Sequence, residues 1–139
     1  MFLKYIIQGP SGSCRSNIIY RKLNAEGRQA ILDRHNDLRR KVAKGDQKRQ
    51  PPAANMRKMV WNTELEEIAQ RWTDQCTFAH DRMRSKKDGT FVGQNGYSAS
   101  GWKKTELDRF QKNMGSVTQA WYDEVERPGF NPSGIKNFR

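Results

Sequence analysis

A chain of 139 residues suits a single domain, which at that size buries roughly two thirds of the surface its unfolded form exposes. With 35% hydrophobic residues it is polar for a globular protein, yet four Trp, six Phe and four Tyr supply bulky core material and exclude disorder throughout. Lys and Arg number 26 against 15 acids, and the resulting net charge of +11 favours anionic partners as a class, whether nucleic acid, membrane surface or acidic glycan.

The opening Met1 to Ser13 carries Phe2, Leu3, Tyr5, Ile6 and Ile7, but Lys4 interrupts the run and Gly9-Pro10 ends it, so it does not read as a signal peptide. The first helix is predicted over Gly27 to Lys44, where Ile31, His35, Leu38 and Val42 recur at helical spacing on one face, and Gly45 supplies a stop. Lys48-Arg49-Gln50-Pro51-Pro52 cannot continue it and reads as a surface loop. A second helix is predicted from Thr63, with Thr63-Glu64-Leu65-Glu66 as a capping box and Leu65, Ile68, Ala69, Trp72 and Cys76 as its apolar stripe. Thr90 to Ser98, with Phe91, Val92 and Tyr97 around Gly93 and Gly96, suits a short strand. The last helical region covers Thr105 to about Arg127, broken near Gly115 and closed by Pro128-Gly129, with Val117, Ala120 and Trp121 on one side of its second piece. This order of elements fits an α+β or three-layer arrangement. No stretch approaches the roughly 20 apolar residues that span a bilayer, so no membrane span is expected.

The basic stretches Arg39 to Lys48 and Arg82 to Lys87 lack the interleaved aromatics that stack bases, and no zinc-finger or RNP-like pattern occurs. Both read as solvated faces, and nucleic acid is not an expected partner. The only cysteines, Cys14 and Cys76, lie too far apart for a CxxC motif and are too few for a cysteine zinc site, which leaves open either a disulfide or two free thiols.

Few side chains can carry chemistry. His35 lies on the Ile31, Leu38, Val42 face and reads as a hydrogen-bonded, core-facing histidine. His80, in Phe78-Ala79-His80-Asp81, follows the second helix where a turn can project it into a cleft, although such a residue is more often structural. Glu124 lies seven residues after Val117 and three after Trp121. That spacing either turns it inward, toward a donor, metal or cavity, or leaves it beside the stripe in a surface pair with Arg127. Gln94 donates and accepts hydrogen bonds but cannot titrate. No Ser or Cys sits in a recognisable nucleophile setting.

Read as words, Ala30-Ile31-Leu32-Asp33-Arg34-His35-Asn36-Asp37-Leu38-Arg39 resembles the first-helix signature of the CAP superfamily. Gln50-Pro51-Pro52-Ala53-Ala54-Asn55-Met56, Val60-Trp61-Asn62-Thr63-Glu64-Leu65, Ile68-Ala69-Gln70-Arg71-Trp72, Gln75-Cys76, His80-Asp81, Val92-Gly93-Gln94-Asn95 and Trp121-Tyr122-Asp123-Glu124-Val125 then come in that family's order. The wording is most similar to arthropod venom allergen 5 proteins. The resemblance implies an α+β fold of the CAP type, an α-β-α sandwich incomplete at its C-terminal side, with residues 1–26 as an extension and 27–139 as a partial CAP domain. It further implies a cleft to which His80, Gln94 and Glu124 belong, Gln94 standing where the family's first acid is found. The family's Gly-His-Tyr-Thr-Gln segment, with the second cleft histidine, has no counterpart before Arg139, which points to a fragment or an incomplete gene model.

The same resemblance implies a secreted, monomeric, non-enzymatic protein of an allergen type that binds lipid or sterol, metal, or a host protein. No cofactor is required, and zinc at His80 and Glu124 is expected to bind weakly, since catalytic zinc usually takes three protein ligands. It also implies a disulfide between Cys14 and Cys76, Met83 standing where relatives often carry a further cysteine. The competing readings are a metal-dependent hydrolase using His80 and Glu124, against which the non-titrating Gln94 counts, and an electrostatic binder of anionic polymers.

Overall fold

The computed structural model describes residues 10–12, 14, 21–98 and 106–126. The chain divides into two compact units, one formed by Met1–Lys22 with Asn62–Leu107 and the other by Leu23–Trp61 with Asp108–Arg139.

The second of these is built on α1 (Ala25–Lys44), which starts two residues earlier than its apolar periodicity indicates because Asn24 caps it, Oδ1 accepting from the Gly27 amide at 2.8 Å. It ends as the sequence predicts. Gly45 takes a left-handed φ of 81° and returns its amide to the Lys41 and Val42 carbonyls. After α3 (Leu107–Lys112) the chain breaks at Asn113 and Met114 and resumes as α4 (Gly115–Tyr122), which tightens into a 3-10 turn over Asp123–Glu126. Gly115 lies close against α1, where an added methyl would come within 3.1 Å of the Ala30 carbonyl oxygen. Further along, His35 meets Thr118 and Lys41 lies over the Tyr122 ring. The contacts advance together, so α1 and α4 run in the same sense. Leu38 and Val117 are buried in this unit. Gln47, 3% exposed, ties the end of α1 to the 3-10 turn by accepting from the Tyr122 hydroxyl at 2.7 Å and donating to Glu126 at 2.6 Å. Arg49 and Gln47 together hold the Glu126 carboxyl below its ordinary pKa.

His35 takes the position its spacing predicts. Half-buried, it lies with Nδ1 2.8 Å from the Ile31 carbonyl oxygen and 3.2 Å from the Thr118 hydroxyl, its ring 6.4 Å from that of Trp121.

In the other unit, α2 (Thr63–Thr73) begins as expected, but the cap is Asn62. Its Oδ1 accepts from the Leu65 amide at 3.0 Å, and Thr63 lies inside the helix. Asn is the better cap of the two, and Asn62, which holds extended geometry, takes the role. Ile68 is buried and Trp72 half-buried with its indole donating to the Ala79 carbonyl, but Leu65 and Ala69 are exposed and Cys76 lies beyond the helix, at a φ of 51°. The predicted stripe thus shortens to Ile68 and Trp72.

Cys14 and Cys76 form the disulfide, with Cα atoms 5.7 Å apart. Around it, the Ser11 amide donates to the Asp74 carbonyl at 2.8 Å and the Ser11 hydroxyl to that of Gln75. Arg21 grips the Asp74 carboxylate with Nε and Nη2, at 3.0 and 2.5 Å. The Arg21 guanidinium, helped by Gln70, outweighs burial and holds the Asp74 carboxyl below its usual pKa.

The strand expected over 90–98 does not form. Among the described residues the only pairing is an isolated antiparallel bridge between Ser85 and Phe91, because 84–92 folds back on itself: Lys86 N–H reaches the Thr90 carbonyl and Val92 N–H that of Arg84. The ending expected at Pro128-Gly129 lies outside the described residues.

Candidate functional site

The loop after α2 carries His80, and the fold of 81–92 brings it to Gln94. His80 Nδ1 lies 3.0 Å from Gln94 Oε1, and the same oxygen accepts the Asp81 amide at 2.9 Å. An amide N–H can pair only with the oxygen end of the glutamine, so the second bond fixes which end of Gln94 faces the ring. The ring must then donate through Nδ1–H, which in the neutral imidazole leaves the lone pair on Nε2. His80 is exposed and Gln94 half-buried.

Arg84 holds this loop. Its guanidinium donates to the Asp81 and Val92 carbonyls, and its charge lies 4.4 Å from the centroid of the Phe91 ring. Glu64, in the first turn of α2, accepts the Lys87 amide at 2.6 Å. The reading of Arg82 to Lys87 as a uniformly solvated face therefore fails at Arg84. Nothing in the local spacing marked it, since its partners are carbonyls that converge only when the loop closes. Large apolar side chains stand exposed on the same loop system: Phe78 is 75% exposed, Phe91 58% and Tyr97 47%, and the Phe78 ring lies against Gly96.

Glu124 belongs to the other unit, in the 3-10 turn after α4, and it is exposed. The inward direction drawn from its spacing to Val117 gives way because the helix narrows to three residues per turn at Asp123, which breaks the register. Arg127, its alternative partner, lies outside the described residues.

Chemically, the neutral His80 ring offers an exposed Nε2 lone pair backed by an uncharged amide. It can ligate or accept a hydrogen bond, but Gln94 cannot relay a proton, and among the described residues no Ser, Thr or Cys bonds to His80. Among the described residues no three His, Cys, Asp or Glu side chains gather to hold a metal ion. No helix among the described residues is long and apolar enough to cross a membrane.

A family model described as CAP, the cysteine-rich secretory protein family, matches residues 32–139. The chain belongs to the CAP family. Its helices, with the single bridge, are what the described residues hold of that family's α+β sandwich. Among curated relatives it is 37% identical to Venom allergen 5.02 of Dolichovespula maculata over 136 residues, covering 91% of this chain and 60% of the relative. It is 42% identical to Venom allergen 5.01 of the same wasp over 120 residues, covering 81% and 50%. With Venom allergen 3 of Solenopsis invicta the identity is 40% over 106 residues, covering 71% and 42%. The chain thus spans between two fifths and three fifths of the length of these relatives. No solved structure matches it.

Proposed function

We propose that this CAP chain acts as a secreted, non-enzymatic binding protein that takes a lipid or sterol on the loop face around His80. The observation that carries the reading is the His80–Gln94 pair beside exposed Phe78 and Tyr97: a non-titrating partner on the histidine, next to aromatic surface that water solvates poorly. Secretion is supported by the Cys14–Cys76 disulfide, a bond that persists in oxidising compartments, and by the venom proteins to which the chain is similar. The implied metal is a minor feature in this account. His80 Nε2 is the ligand this face offers, and a single protein ligand holds zinc weakly. A metal-dependent hydrolase is disfavoured, because the partner His80 has among the described residues, Gln94, is not acidic.

Titration of the chain with a fluorescent sterol analogue tests the reading. Saturable binding that weakens by about tenfold on Phe78→Ala, which removes a large apolar contact, is the expected result. An absence of sterol binding, or binding indifferent to Phe78 and Tyr97, would overturn it.

A further inference from the structure

Residues 39–58 hold eight Lys or Arg against one acid, a surplus of seven out of the +11 that the whole chain carries. Ordinary solvated faces intersperse acids among their bases, because like charges held close repel one another. Two of these cations have local acidic partners, Arg40 with Asp37 at 2.7 Å and Arg49 with Glu126 at 2.9 Å, but these are exposed pairs of little energetic weight. Lys41 and Lys44 sit in the last turn of α1, where cations favour the helix end. That explanation does not reach Lys48, Arg57 or Lys58, which lie beyond the helix, are exposed, and take part in no ion pair among the described residues.

The segment that carries Arg57 and Lys58 is also clamped in place. Arg39 spends its guanidinium on the Arg57 carbonyl, donating from Nε at 2.9 Å and Nη2 at 2.7 Å, so this cation braces the backbone. Two residues on, the buried Asn36 accepts the Met59 amide at 2.7 Å and donates to the Met59 carbonyl at 3.1 Å. The chain from 57 to 59 is thereby tied to α1, with the Arg57 and Lys58 side chains outward. Gly45, packed toward Pro52, closes the intervening loop. The result is a set of cations on a fixed scaffold, so less conformational freedom is lost on binding than from a loose basic tail.

We propose that this surface, within the unit built on α1, docks a sulfated polysaccharide, independently of the lipid face around His80. The polymer chemistry rests on two observations. No Phe, Tyr or Trp lies between Arg39 and Lys58, so the surface recognises backbone charge and not stacked bases. The Cys14–Cys76 disulfide supports an oxidising, extracellular setting, as proposed above, where sulfated glycans are linear polyanions without bases to stack.

The test is titration of the full chain with heparin oligosaccharides at several salt concentrations, comparing K48E/R57E/K58E with a charge-matched control, R71E/R82E/K87E, from the other unit. Both triples replace three cations by three acids, so the net charge falls by six units, from +11 to +5. The proposal expects the first triple to weaken binding by about tenfold or more and to lower the salt slope by about three, with little change in the control. A K48Q/R57Q/K58Q version, which adds no new charge, keeps the test readable if the Glu triple fails to fold. Equal losses in the two triples would overturn the proposal, because binding would then track net charge and not this surface. Duplex DNA bound as tightly as heparin at the same salt would overturn the assignment to sulfated polysaccharide.

Discussion

Removing the Cys14–Cys76 bridge by the double substitution Cys14→Ser, Cys76→Ser tests how the amino-terminal segment is held to the end of α2. The bridge spans a sequence separation of 62 and joins Cα atoms 5.7 Å apart, within the range a disulfide adopts without moving the backbone. In the chain-entropy account, closing a loop of that length restricts the unfolded chain by about 4 kcal/mol at room temperature. Other contacts at the junction survive the substitution: the Ser11 bonds to the Asp74 and Gln75 carbonyls and the two-pronged Arg21–Asp74 pair. They keep the native arrangement available to the serine variant, so the loss should come mainly from a freer unfolded state. Urea unfolding read by tryptophan fluorescence should show a stability drop of about 3 to 4 kcal/mol, with a raised m value as the unfolded chain expands. Reduction of the parent protein should reproduce the shift. A loss below about 1 kcal/mol with an unchanged m value would refute the reasoning, since the bridge would then not restrict the unfolded chain.

Asn36→Ala should cost about 2 kcal/mol in the same assay, because two bonds to the Met59 backbone are lost at a buried side chain; a neutral result would show the clamp to be dispensable. Gly45→Ala should cost about 1 kcal/mol, measured by thermal unfolding, since an L side chain is strained at a φ of 81°. Asp74 has a depressed carboxyl pKa, so its stabilisation is present above the ordinary carboxylate range and is lost as pH falls through the folded value. Stability measured from neutral pH downward should therefore fall in the acid range, and Asp74→Asn should flatten that part of the profile. Nitrogen-15 spectra of the neutral imidazole should report His80 as the Nδ1–H tautomer, and Gln94→Leu should remove that preference; an Nε2–H ring in the parent protein would contradict the bond to Gln94.

Much of the structure is legible where local periodicity and local capping decide it. The face of Ile31, His35, Leu38 and Val42, the stop at Gly45 and the break before Gly115 all appear as the sequence indicates. The cap of α2 falls one residue away from its expected place, at Asn62, because adjacent Asn and Thr compete for the same role. Phe91, Val92 and Tyr97 have the composition of a strand, but a strand is defined by its partner, and the 84–92 segment instead closes on itself under Arg84. Of the two directions left open for Glu124 the exposed one is found, because extrapolating helical register assumes an unbroken α-helix and the turn at Asp123 is 3-10. His80 and Gln94 stand 14 residues apart, a contact that spacing cannot reveal and that only the likeness to the CAP family suggests. The disulfide likewise rests on that likeness and appears with the pairing it implies.

The central claim is that the His80 face binds an apolar ligand without reacting with it. Incubating the chain with a fluorescent sterol ester and added zinc, and sampling by chromatography, reads both events in one measurement. The account predicts saturable association weakened by Phe78→Ala, with the ester recovered intact at every time. Zinc-dependent release of the free acid, abolished by His80→Ala, would contradict it and make the face catalytic.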